Sequence, residues 1–128
     1  MKKSYLPVLF VVFAIALGAC SGVAPANQPT KLTTVVLVTN PNPAVVGDVE
    51  LNLTITDQNG TPLEGATVTV TADHPAMSGM TMTGAATEQG GGKYAIKANF
   101  SDSGEWKVVV EIGKGDLVDK QEFDLTIQ

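Results

Sequence analysis

The stretch Asp73–Gly84, DHPAMSGMTMTG, gathers the side chains of this chain that could hold a soft ligand. His74 is the only histidine, and Met77, Met80 and Met82 are every methionine other than Met1. Thioether sulfur is neutral, soft and polarisable, so together with an imidazole it suits Cu(I). Zinc and iron–sulfur sites call for thiolates, and Ca²⁺ or Mg²⁺ for clustered oxygens. A thioether binds without shedding a proton, so pH acts on such a site mainly through His74. Metal-free readings use the same residues: an adaptable apolar patch for a partner protein, an oxidation sink, or plain loop packing. Residue types alone leave these open, because the loop has no fixed-geometry signature such as paired Cys-x-x-Cys.

The segments around the loop alternate with period two, the pattern of half-buried strands. DVELNLTITD places Val49, Leu51, Leu53 and Ile55 on one face and Asp48, Glu50, Asn52 and Thr54 on the other. QNGTPLEG then turns the chain through Asn-Gly and a proline. ATVTVTAD alternates through Ala66, Val68, Val70 and Ala72, and GKYAIKANF through Tyr94, Ile96, Ala98 and Phe100. GEWKVVVEI does so through Trp106, Val108, Val110 and Ile112, and KQEFDLTI through Phe123, Leu125 and Ile127. TTVVLVT opens the series, and Met80–Glu88 adds a weaker segment. No window supports an amphipathic helix. About seven antiparallel strands over residues 33–128 predict an all-β, immunoglobulin-like sandwich. Tyr94, Phe100, Trp106 and Phe123 keep their strands' inward phase and are read as core.

This pattern positions the loop. Pro75 ends the strand that carries Val68 and Val70, since it has no N–H for the ladder. PAMSG, residues 75–79, then joins two strands as a hairpin, with His74 and Met80 opposite each other. Opposed residues bring their Cβ atoms to about 4.5–5.5 Å. Met82 shares the face of Met80, and Met77 sits at the tip. Adjacent strand residues point to opposite faces, so Asp73 is poorly placed to orient the imidazole.

The N-terminus predicts where the domain works. MKKSYLPVLFVVFAIALGAC has two lysines, an apolar run from Leu6 to Leu17 and a small-residue cleavage region, the layout of a secretory signal over residues 1–19. The run is shorter than the ~20 residues of a spanning helix. Leu17-Gly18-Ala19-Cys20 resembles the lipobox of bacterial lipoproteins, which implies that the only cysteine becomes the acylated first residue. The alternatives are a plain secretory signal and an uncleaved anchor. Stable anchoring takes more than one acyl chain. Residues 20–32, rich in small residues and proline, read as a tether.

Without residues 1–19 the chain has six lysines, no arginine and 13 acidic residues, a formal charge of −7. That excludes a phosphate-neutralising nucleic-acid surface. It also leaves membrane contact to the lipid on Cys20. No other imidazole, no other thiol and no Gly-x-Ser-x-Gly accompany His74, so an enzyme is not expected.

The stretch His74–Ile112 resembles the YtkA-like domain family. Its marks here are Pro75-Ala76-Met77-Ser78-Gly79-Met80, Gly92-Lys93-Tyr94 and Gly104-Glu105-Trp106. The resemblance implies an immunoglobulin-like sandwich and, as in the similar CopC sandwiches, copper handling outside the cytoplasm. Two positions depart from the family's pattern. His74 stands where relatives often have methionine, and Ser101-Asp102-Ser103 precedes Gly104 where relatives often place another methionine, so any site here is built from the single loop. Together these readings predict a membrane-anchored, extracytoplasmic lipoprotein, on the periplasmic side or the cell surface. It would bind Cu(I) through His74, Met77, Met80 and Met82 and exchange it with a copper-donating or copper-receiving protein. The competing expectation is a metal-free interaction module docking through the loop or a sheet edge.

Overall fold

A computed structural model describes residues 31–128. The expected signal segment 1–19, the expected lipidation site Cys20 and the expected tether up to residue 30 lie outside the described residues. Eight strands follow in chain order: β1 (Thr33–Asn40), β2 (Gly47–Asp57), β3 (Thr67–Asp73), β4 (Thr81–Ala85), β5 (Thr87–Gly90), β6 (Lys93–Phe100), β7 (Gly104–Lys114) and β8 (Leu117–Ile127). They form two four-stranded antiparallel sheets, β1-β2-β6-β5 and β4-β3-β7-β8. With the strands lettered A, B, C, C′, D, E, F and G, these orders are the ABED and CFG sheets of an immunoglobulin sandwich, with C′ added beside C.

Period-two alternation becomes burial as expected. Val49, Leu51, Leu53 and Ile55 of β2 are each no more than 1% exposed, and Trp106, Val108, Val110 and Ile112 of β7 meet them from the other sheet. Tyr94 and Phe100 are also buried. Ile96 and Ala98, between them on β6, are only half-buried, because the sandwich is open along the gap between β4 and β6.

The count differs from the expected seven because the segment Met80–Glu88 divides. β4 pairs with β3 in one sheet, and β5 pairs with β6 in the other. Ala86 is the crossing point, where its N–H still donates to the Val68 carbonyl at 2.8 Å. Two residues before the crossing, β4 passes close to β6. A Cβ on Gly84 would fall 2.9 Å from Cδ1 of Ile96. Alternation describes which face a residue takes within one sheet and carries no mark of a change of sheet.

Polar ties close the sandwich without a disulfide. The Tyr94 hydroxyl donates to the Leu63 carbonyl at 2.8 Å and accepts the Ala66 N–H at 3.1 Å, fixing the β2–β3 connection. The β1–β2 connection is tied to the residue after β8, since the Gln128 N–H donates to the Ala44 carbonyl and the Val46 N–H donates to the Gln128 carbonyl.

The start of β1 is held across the sandwich by Asp119 of β8. Its carboxylate accepts the Thr33 N–H at 2.8 Å and the Thr33 hydroxyl at 2.7 Å. Partial burial pulls the Asp119 carboxyl upward, but the hydrogen bonds from Thr33 and from the Lys120 N–H outweigh it and hold it below the ordinary carboxylate range. A group depressed in the fold stabilises above its unfolded value and loses that contribution as pH falls through its folded value. Asp119→Ala is therefore expected to cost about 1 kcal/mol in urea unfolding at pH 7. The gap to wild type should narrow below about pH 4.

Candidate metal centre

The β3–β4 hairpin forms as the loop sequence predicts. Asp73 pairs with Thr81 and Ala72 with Met82. The ladder continues one step further, with the His74 N–H donating to the Met80 carbonyl at 3.2 Å. The Met77 N–H folds back onto the His74 carbonyl at 2.9 Å, tightening the turn over residues 75–79. Directly paired residues in an antiparallel ladder share a face, so His74, Met80 and Met82 lie on the inward side with Val70 and Ala72. Asp73 lies on the other side, where it accepts the Thr81 hydroxyl at 2.7 Å. It does not orient the imidazole.

The four loop residues differ sharply in depth. Met77, at the tip, is 40% exposed. Met80 and Met82 are partly buried and pack against the core. His74 is 5% exposed and belongs to the interior. Met82 also lines the cleft of about 150 Å³ between β4 and β6, together with Leu51, Ala72, Ile96 and Ala98.

The surroundings of His74 come from β7 and the corner before it. The imidazole stands edge-on to the Trp106 indole, with ring centroids 5.0 Å apart and planes at 76°. Trp106 meets Phe100 in the same way at 5.0 Å. The corner Ser101–Ser103 and Gly104 wraps this group. The Trp106 Nε1–H donates to the Asp102 carbonyl at 3.0 Å, the Ser101 hydroxyl lies 4.0 Å from the Met80 sulfur, and Nε2 of His74 is 3.4 Å from the Ser103 carbonyl oxygen. The loop and the Gly-x-Trp segment, distant in sequence, are one locus. The second segment adds surroundings for the imidazole and no sulfur, so the expected donors still come from the single loop. Only the Gly104-Glu105-Trp106 motif hinted at this, and its tryptophan reads as ordinary core.

One polar atom in this locus is unsatisfied. Nδ1 of His74 is sealed from solvent and has no hydrogen-bond partner. Such an atom pays its desolvation without compensation, about 1–3 kcal/mol. Nitrogen with a free lone pair is also what a soft metal ion requires of a histidine. Among the described residues no three His, Cys, Asp or Glu side chains gather as a metal cage. An ion held at this locus would therefore draw on thioether sulfur beside the imidazole. The donor set fits Cu(I) by its chemistry.

Comparison with known families agrees with the motifs. Residues 27–111 match the family described as YtkA-like, two thirds of the chain. The matched span runs through the Met loop, Gly92-Lys93-Tyr94 and Gly104-Glu105-Trp106 and ends within β7. The chain belongs to the YtkA-like family. No curated protein and no solved structure gives a match.

The unsatisfied nitrogen makes a stability prediction that needs no metal. His74→Phe keeps a ring against Trp106 and removes the orphaned atom. Urea unfolding of the metal-free variant at pH 7 is expected to show stability equal to wild type or about 1 kcal/mol higher. A loss of 2 kcal/mol or more on the same order as a core truncation would mean that His74 is kept for the fold.

Proposed function

We propose that this YtkA-like domain is a Cu(I)-binding module, with the His74 imidazole and the thioethers of Met77, Met80 and Met82 as donors. The observation that carries this reading is the buried, unpartnered Nδ1 of His74, set in the hairpin that holds all three internal methionines. A buried polar atom without a partner calls for an explanation. Metal coordination supplies one, and an apolar side chain would serve packing better.

The gradient of exposure suits exchange with a partner. Met77 stands in solvent and offers the first contact, Met80 and Met82 lie at the boundary, and His74 completes the set from inside. The donors are separate side chains in and beside the turn, so ligands of a second protein can replace them one at a time, starting at Met77. The protein thus acts in copper handling, as a metallochaperone or scavenger. Thioethers suit an oxidising compartment, where thiols pair or oxidise.

Leu17-Gly18-Ala19-Cys20 supports the setting: an extracytoplasmic lipoprotein whose tether, residues 20–32, holds the domain to a membrane. The lipid on Cys20 provides that attachment, because the acidic mature chain has no polybasic face. Labelled palmitate is expected to enter the wild-type chain in a lipoprotein-processing bacterial host and to be lost from Cys20→Ser.

Anaerobic competition with a chromophoric Cu(I) chelator tests the binding reading. Leucine is close to methionine in volume, so the variant M77L/M80L/M82L keeps the packing of the loop. Wild type is expected to withdraw one equivalent of Cu(I) from the chelator, with the triple variant weaker by at least about tenfold, a difference near 1.4 kcal/mol. Equal competition by the two proteins would refute the proposal.

A further inference from the structure

We infer that the Ser103–Gly104 corner holds His74 as its Nε2–H tautomer and so makes Nδ1 the nitrogen offered to the metal, with Gly104 as the positioning residue. This rests on the Cu(I) reading and assigns the atom through which His74 would serve it.

The argument begins at Nε2. Its polar neighbour is the Ser103 carbonyl oxygen at 3.4 Å. A carbonyl oxygen only accepts, so this contact is attractive when Nε2 carries the proton and repulsive when it carries the lone pair. The neutral ring has one proton, and with it on Nε2 the lone pair is on Nδ1. The opposite tautomer would set two lone pairs face to face and leave a sealed N–H at Nδ1 with nothing to accept it. Turning the ring over would bring a carbon to the carbonyl and lose the ring's one hydrogen bond. Histidines that bind metals through one nitrogen commonly donate from the other to a carbonyl or carboxylate, which fixes tautomer and orientation. The Ser103 carbonyl is placed to do that here.

Gly104 allows the corner to come so close. Its φ is +121°, a backbone conformation that side chains rarely adopt. A Cβ there would lie 3.2 Å from Nε2 and 3.7 Å from Cε1 of His74. Any larger residue would press on the imidazole edge and move the carbonyl beside it. Trp106, edge-on to the same ring, limits its rotation from β7. The Gly-x-Trp motif thus has a role toward the histidine beyond filling the core.

With a single histidine, the two ring nitrogens of the full ¹⁵N-labelled chain in detergent can be read without ambiguity by long-range proton–nitrogen correlation NMR. In the metal-free protein above neutral pH, Nε2 is expected to show a protonated, pyrrole-type shift and Nδ1 an unprotonated, pyridine-type shift. Anaerobic addition of Cu(I) should move Nδ1 and the methionine methyl signals while Nε2 keeps its proton. A metal-free ring protonated at Nδ1, or averaged between tautomers, overturns the inference, as does a Cu(I) shift centred on Nε2. Methionine methyl shifts with no change at His74 overturn it while leaving a copper site of sulfur alone. No shift anywhere overturns both this inference and the Cu(I) reading. Gly104→Ala is expected to mix the tautomers and to weaken Cu(I) binding by about tenfold or more. A folded variant matching wild type in both respects removes the positioning role. If the variant does not fold, the wild-type spectra decide.

Discussion

The register of the β3–β4 hairpin is the constraint on which the rest of the locus depends. The His74 N–H to Met80 carbonyl bond extends the pairing of Asp73 with Thr81 and Ala72 with Met82 by one step. In this register His74, Met80 and Met82 all point inward. A slip of one residue would reverse every side chain of β4, sending its sulfur to solvent and its threonines to the core. What prevents the slip is apolar content on one face only. Val68, Val70 and Ala72 are buried while Thr69, Thr71 and Asp73 are not. The outward side adds a Thr71–Thr83 hydroxyl contact at 3.2 Å and the Thr81–Asp73 bond. The inward placement of His74, Met80 and Met82 is thus a consequence of ordinary sheet energetics.

Much of this was legible in the sequence, for a definable reason. A sheet with one wet face writes its phase into alternate residues, and β2 and β3 show that phase without interruption, β7 with only Val109 out of phase. The hairpin was legible because Pro75 forbids continuation and five residues suffice to return. The split of Met80–Glu88 into β4 and β5 was not legible, because leaving one sheet for another changes partners without changing the alternation. Nor was the joining of His74 to the Ser101–Gly104 corner. That contact is made across about thirty residues and is set by how β3 and β7 lie side by side, with Asp73 opposite Lys107. Gly104 gave the only local sign, and a glycine before a strand has many ordinary uses.

Burial of His74 separates packing from function more sharply than composition does. Trp106, Phe100 and the imidazole make a continuous edge-to-face cluster, and such contacts stabilise by about 0.5–1.5 kcal/mol beyond area for aromatic pairs. A phenyl ring would keep the edge-to-face packing and remove the orphaned nitrogen, losing only the 3.4 Å contact of Nε2 with the Ser103 carbonyl. The presence of imidazole where its second nitrogen has no partner is therefore a local conflict with stability, of the kind that accumulates at functional sites. The three methionines taken alone would not carry this argument. Methionine fills irregular gaps readily, and Met80 and Met82 do pack against the core.

The same depth that makes His74 informative limits how an ion could reach it. Nδ1 is closed to solvent, while Met77 stands open at the tip. Under the copper reading, an ion would meet the Met77 sulfur before the His74 nitrogen. The turn over residues 75–79 has few ties to the rest of the protein: the Met77–His74 bond within it, and the His74–Met80 bond at its base. The base of the turn is fixed by the sheet, and the tip is held by one backbone hydrogen bond. Under the copper reading, the interior would supply the His74 nitrogen packed against the Trp106 indole, and the tip would supply Met77, the exposed sulfur.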